Sequence, residues 1–386
     1  MVWAGAYLYH DPDIRWTPVR NGLTFLLLAG RRFQGRGGRF DFLCVRTFVG
    51  GRILARIQLQ SADTVSGTPL AARFDDRHLI GHARPARPSL APPAPVPAHL
   101  QVASERYDEL EVSLDPQTRT YWCSMAPKEA PSFTPGLLRD LAAMQRSIRQ
   151  LCTRAGSEEV IRHFVVQSRL KGIFNLGGDL ELFADAIRRR DREGLLRYAL
   201  ACVGVVHENA VSYDQRIVTI ALVQGDALGG GFEAALSCDV IIAERSAKFG
   251  FPEILFNLFP GMGAYSLLSR RLDGARAEKM ILSGRIYTAD ELHSMGLVEQ
   301  VVEDGKGQQA VREYVSRGSR RHNGQSTLSA ARRMVQPLRL EELRAVTELW
   351  VDAALRVSEV DLRKMGRLKA AQGRRSPASV GNPSLA

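Results

Sequence analysis

A chain of 386 residues, 45% hydrophobic and 24% charged, has the composition of a globular protein with one large domain or two ordinary ones. Its formal charge of +11 would direct attention to nucleic acid, but the charge is unevenly placed. Residues 1–98 hold thirteen arginines, six aspartates, no lysine and no glutamate, so +7 of the +11 lies there and only +4 on the rest. No nucleic-acid partner is expected. No apolar run approaches the roughly 20 residues of a membrane span; "GLTFLLLAG" at 22–30 is short and poorly placed for a signal peptide. Neither membrane insertion nor export is expected, and the location read from the sequence is cytoplasmic. The five cysteines are odd in number and scattered, with no CxxC pair, which argues against a disulfide framework and a zinc site. No metal and no cofactor is expected.

Half of the 18 prolines also fall in residues 1–98, and no sustained helical or strand period runs through them. Two readings fit: a disordered Arg/Pro-rich extension, or read-through of upstream sequence with translation starting later. The second is preferred, and no function is assigned there. From about Leu100 the character changes. "YDELEVSLDPQTRTYWCSM" alternates around "DPQT" and predicts a strand pair. A helix is predicted over 134–156, with Thr134 as N-cap, Pro135 in its first turn and Gly156 after its end. A strand is predicted at 160–168, then helix-rich sequence over 179–210. "IVTIALVQG" (217–225) reads as a strand buried on both faces and ended by Gly225. Next come a helix over "FEAALSC", a strand over "DVIIAE", helices around 263–283, a helix capped by Thr288 and Glu291, and the strand "LVEQVVE". Four helical stretches follow over 308–372. The order predicts an α/β fold with mainly parallel sheets. The expected division is an extension at 1–98, a core at 99–306, a helical region at 307–372 and a frayed tail at 373–386.

Two acids stand out. Glu233 follows three consecutive glycines, Gly229–Gly231, which give up packing and add chain entropy. Free N–H groups in the first turn of a helix can face an anion, and glycine lets a substrate approach them, so this run fits an oxyanion hole. Glu253 lies among Phe251, Pro252, Ile254, Leu255 and Phe256, where a raised pKa is expected. Facing one cavity, the pair would titrate together, one holding a proton while the other is ionised. Singly, Glu233 is also explained by the helix dipole, Glu253 by a cap or an arginine partner, and Asp179 by an N-cap.

"FNLGGDL" (174–180), "LVQGDALGGGFEAALSCDVIIAE" (222–244) and "FGFPEILFNLFPGMGAYSLLSRRL" (249–272) together closely resemble the crotonase, or enoyl-CoA hydratase/isomerase, superfamily, and the likeness covers about 100–372. The resemblance implies a spiral of ββα units with a C-terminal helical region. "NLGGDL", "PEILFNLFPGMGAYS" and the tail "LEELRAVTELWVDAAL…DLRKMGRL" look like one branch, the bacterial synthases of diffusible signal factor. That branch dehydrates a 3-hydroxyacyl chain on acyl carrier protein and hydrolyses the thioester, releasing a cis-2-unsaturated fatty acid quorum signal.

By position, the resemblance makes Glu233 and Glu253 the catalytic acids and places the oxyanion donors on the backbone N–H groups of Asn175 and Gly230, with Leu176 as the alternative to Asn175. It implies substrate contact at Leu176, Gly177, Gly229, Met262, Trp350 and Leu368, the last three in an acyl tunnel. Partners implied are acyl carrier protein (or acyl-CoA as donor), a membrane sensor kinase, and other copies of the chain in a trimer or similar homo-oligomer. Arginines at 312, 317, 320, 321, 332, 333 and 339 are read as a docking face for the acidic carrier, against a plain solvated surface. The rival readings are an enoyl-CoA hydratase/isomerase of fatty-acid degradation and a binding partner of a sensor kinase.

Overall fold

The computed structural model describes residues 27–35, 38–49, 52–59, 96–156 and 158–373. Two compact units divide the chain, Met1–Leu90 and Ala91–Ala386. In the first, β1 (Leu27–Gly35), β2 (Gly38–Val49) and β3 (Arg52–Leu59) pair antiparallel in that order, where the sequence shows no sustained period. Everything else expected of residues 1–95, and of the tail beyond Gly373, lies outside the described residues.

The second unit opens with α1 (Ala98–Ser104), followed by the antiparallel pair β4 (Leu110–Asp115) and β5 (Thr120–Met125) around the predicted turn. Helix α2 (Pro135–Ala155) has the expected ends: Thr134 Oγ1 accepts from Leu137 N, and Gly156 follows at φ 63°. Then come β6 (His163–Ser168), β7 (Gly172–Asn175), α3 (Leu180–Arg189) and α4 (Arg192–Ala210). The next turn of chain is β8 (Val218–Val223), β9 (Gly225–Leu228) and α5 (Gly230–Leu236). After it come β10 (Val240–Glu244), β11 (Lys248–Gly250), α6 (Ala264–Arg271) and α7 (Gly274–Ser283). The unit closes with β12 (Ile286–Thr288), α8 (Ala289–Ser294), β13 (Gln300–Val302), α9 (Gly307–Gly318), α10 (His322–Val335), α11 (Leu340–Ala354) and α12 (Glu359–Gly373). Thr288 and Glu291 form the expected capping box at the start of α8.

Three of these passages repeat one pattern, strand–strand–helix. In each, the first strand joins a six-stranded sheet of order β13-β10-β8-β6-β5-β4, and the second joins a four-stranded sheet of order β12-β11-β9-β7. All neighbours are parallel except β4 with β5 and β11 with β12. This is the expected spiral of ββα units, and the fold is α/β. Gly225 does not end a strand, as the sequence implied; it opens β9. The reason is steric, since a β-carbon there would run into the backbone of Gly172 on the neighbouring β7.

Every residue of β5, β6, β8 and β10 is buried, which is why those strands read as continuous apolar runs. Phe232, on α5, is fully buried between Phe249 and Phe251, with ring centroids 5.3 and 4.9 Å away. A buried Phe contributes about 1.5–3 kcal/mol. This packing locks the helix carrying Glu233 to the segment carrying Glu253.

Candidate active site

Three loops leave the C-terminal ends of the adjacent parallel strands β7, β9 and β11. They are Leu176–Asp179, Gly229 with the first turn of α5, and the 3-10 turn Pro252–Phe256. Segments far apart in sequence are thereby set side by side, at the edge where open α/β sheets bind ligands. One cavity of about 40 Å³ touches all three; it is lined by Leu176, Gly230, Glu233, Glu253, Met262 and Trp350, among others.

The glycines of "GGGFE" each answer a different neighbour. A β-carbon on Gly229 (φ 51°) would fall on Glu253 Oε1, one on Gly230 on the Met262 sulfur, and one on Gly231 on the Asn175 carbonyl. Gly177 (φ 98°) packs against this run, its β-carbon position only 3.0 Å from Gly230 N. Gly230 N–H is the first of α5 and has no intrahelical acceptor.

Glu233 is 1% exposed, and its Oε1 accepts backbone N–H bonds from Met262 and Ala264, both at 2.8 Å. Burial, then the negative charge of Glu253, pushes its pKa well above the carboxylate range, with the two N–H bonds opposing. Glu253 Oε2 is buried with no hydrogen-bond partner, and burial lifts this carboxyl to about 7. The Glu253 charge thus adds to the upward push on Glu233. With both carboxyls shifted upward, one can hold a proton while the other is ionised, as withdrawing one proton from a substrate and delivering another requires.

Of the other residues expected at the site, Leu176, Gly230, Met262, Trp350 and Leu368 border the cavity. Asn175, Gly177 and Gly229 do not; they form the layer behind it. Asn175 is 1% exposed, its Oδ1 accepts from Gly177 N at 2.8 Å, and its Nδ2 is buried without a partner. Leu176 N donates to Pro131 O at 2.8 Å.

Tyr198, Cys202 and Phe183 also line the cavity and were not singled out from the sequence. Their only signal was helical spacing in an apolar stretch, which any core residue shares. The Tyr198 hydroxyl donates to Phe133 O at 2.5 Å and accepts from Asp179 N at 3.0 Å, pinning the loop after β7. Phe183 lies between Tyr198, edge to face at 5.4 Å, and Trp350, tilted at 5.0 Å.

The arginines expected to form one docking face are divided. Arg332 and Arg333 pair with Asp239 at the foot of β10, and Arg312 lies over the Trp122 ring at 5.2 Å. Among the described residues, no group of three or more His, Cys, Asp or Glu side chains is placed to hold a metal. Among the same residues, Cys123, Cys152, Cys202 and Cys238 are free, and no helix is long and apolar enough to cross a membrane.

Residues 127–368 match the description "Enoyl-CoA hydratase/isomerase". The chain belongs to the enoyl-CoA hydratase/isomerase family. Among curated members, it is 51% identical over 87 residues to a "Probable enoyl-CoA hydratase" of Mycobacterium bovis, 22% of this chain and 34% of that protein. It is 32% identical over 150 residues to the mitochondrial methylglutaconyl-CoA hydratase of Rattus norvegicus, 39% of this chain and 45% of that protein. The matched stretches thus span a third to a half of those relatives' lengths. An enoyl-CoA hydratase structure from Bacillus halodurans superposes with a TM-score of 0.54 at 22% identity, covering 68% of this chain and all of that one. An enoyl-CoA hydratase/isomerase structure from Xanthobacter autotrophicus gives 0.56 at 18%, covering 73% and 100%. At such identities the likeness is one of fold.

Proposed function

We propose that this protein moves water across the Cα–Cβ bond of an acyl thioester, using Glu233 and Glu253 as its acid–base pair. The observation that carries this reading is the shared cavity: Glu233 and Glu253, both with raised pKa values, and Gly230 border one small space. In the dehydrating direction one carboxylate takes an α-proton from a 3-hydroxyacyl thioester. The thioester oxygen, now enolate-like, is held by Gly230 N–H; the Leu176 and Gly177 amides are already given to Pro131 O and Asn175 Oδ1. The partner carboxylic acid protonates the 3-hydroxyl, the Cβ–O bond breaks and water leaves. Removing a single donor of this kind costs about 3 kcal/mol of barrier.

The finer reading is that the donor is a 3-hydroxyacyl acyl carrier protein and that a carboxylate-activated water then cleaves the thioester, releasing a cis-2-unsaturated fatty acid signal. The sequence resemblance supports it, together with the apolar wall that Met262, Phe183, Trp350 and Leu368 give the cavity. The names of the curated relatives favour the second reading, a hydratase acting on acyl-CoA without thioester cleavage.

Mass spectrometry of products from 3-hydroxyacyl-carrier-protein and from enoyl-CoA tests both. Free 2-enoic acid supports the signal synthase. Reversible hydration alone supports the hydratase. Turnover unchanged by Glu233→Gln with Glu253→Gln overturns the acid pair and with it both readings.

A further inference from the structure

A second cavity, of about 570 Å³, lies at the far ends of two helices, the one that carries Glu233 and the one whose first N–H bonds it. Helix α5 begins beside the active-site cavity and ends at Leu236. Helix α6 begins at Ala264, which bonds Glu233, and ends at Arg270 and Arg271. Eight helical residues span about 12 Å, so the two cavities are separate spaces joined by short rigid rods.

The charges around this second cavity are unevenly matched: Arg216 lies 3.9 Å from Glu159, and Arg270 has Glu342, but Arg271 is left over. Five guanidinium groups line it, those of Arg216, Arg270, Arg271, Arg332 and Arg333, against two carboxylates, Asp214 and Asp239. Asp239 is already saturated. Its Oδ1 pairs with both Arg332 and Arg333, and its Oδ2 accepts from Thr219 N at 3.0 Å and Ser212 Oγ at 3.3 Å. Asp214 is held by Arg149 at 2.9 Å, and Arg270 is matched by Glu342 at 2.6 Å, with its Nε buried and unpartnered. Among the described residues Arg271 has no carboxylate in ion-pair range: its guanidinium donates to the Cys238 carbonyl. Burial, and then the charge of Arg332, lowers its pKa to about 10.

A half-buried guanidinium next to two others that share one acid is unfavourable unless something negative joins them. Arginine's fork suits carboxylate and phosphate oxygens, which it binds two at a time. The rest of the lining, with Val211, Leu236, Leu267 and Leu338, is apolar.

We propose that this cavity is a binding site for a small organic anion, with a carboxylate or phosphate head held by Arg271 and Arg333 and a short apolar body against Leu236, Leu267 and Leu338. The site is distinct from the acid-pair cavity and does not depend on the reaction assigned there.

Calorimetric titration of the full chain with octanoate and with octyl phosphate tests the proposal and separates the two head groups. At least one should bind, more weakly as salt rises from 50 to 300 mM. Arg271→Met with Arg333→Met should raise Kd at least tenfold. Arg271→Lys, which keeps the charge but loses the fork, should raise it severalfold and guards against a double variant that fails to fold. Glu253→Gln should leave binding unchanged. Absence of binding by either probe at 10 mM overturns the site, as does affinity that survives the arginine changes. Affinity that responds to Glu253→Gln instead overturns it too, by placing the anion at the acid pair.

Discussion

Glu253 Oε1 occupies the position a side chain on Gly229 would take. Glycine at 229 is therefore required twice, once for φ 51° and once for the carboxyl oxygen lying where a β-carbon would go. Gly229→Ala should cost about 1–3 kcal/mol of stability from backbone strain and displace Glu253, lowering kcat by about 100-fold or more. Gly230→Ala is milder, because its β-carbon meets the flexible end of Met262. It should keep most of the stability and raise KM by crowding the cavity. Thermal melts and steady-state kinetics on both variants check the contrast, and equal effects on stability would contradict it.

Glu253 also sets a pH dependence. Burial raises its pKa from 4.5 to about 7. Below pH 4.5 the carboxyl is protonated whether the chain is folded or not, and its effect on stability is nil. As pH rises through 4.5 the unfolded chain ionises first, so folding loses stability until pH passes about 7. Across that interval the loss is roughly 3 kcal/mol. Glu253→Gln cannot ionise. Its melting temperature should match wild type near pH 5 and exceed it by pH 8, while activity falls by orders of magnitude. Parallel melting curves across pH for the two proteins would show that the buried carboxyl is not the source.

Tyr198 reaches from α4 to clamp Phe133 O and Asp179 N on either side of the Leu176–Gly178 loop. Tyr198→Phe removes two hydrogen bonds and leaves a buried N–H and carbonyl to find others, at a cost of about 1–3 kcal/mol. Because the loop borders the Gly230 amide, kcat should drop about tenfold with KM little changed. A purely structural role would lower stability and leave kcat per folded molecule intact.

Trp350 is 4% exposed, its ring lies over Gly261, and its Nε1 has no hydrogen-bond partner. Its value at this position is therefore volume. Trp350→Ala should lose about 3–5 kcal/mol and enlarge the cavity, shifting preference toward longer acyl chains by several carbons. Gly261→Ala pushes the same ring inward and should shift preference toward shorter ones. A kcat/KM series over chain length decides, and an unchanged optimum in both variants would remove Trp350 from the acyl wall.

Much of this was legible without coordinates because the causes are local. Thr134 and Gly156 mark the ends of α2 through bonds within a few residues, and Thr288 with Glu291 caps α8 in the same way. The strands β6, β8 and β10 announce themselves because both faces are buried. The triple glycine before Glu233, and Glu253 among aromatic and aliphatic neighbours, could be picked out by the cost such choices carry.

The four-stranded sheet was not legible. Its strands are three or four residues long, too short to show a period, and they exist because partners from distant segments supply their hydrogen bonds. For the same reason Gly225 looked like the end of one strand when it begins another. Tyr198 and Cys202 look like any helical core residues until α4 is laid against the loop after β7. Along the chain, 233 and 253 are merely twenty residues apart. That both carboxyls border one cavity and share one electrostatic field follows from the parallel pairing of β7, β9 and β11, which only the folded chain possesses.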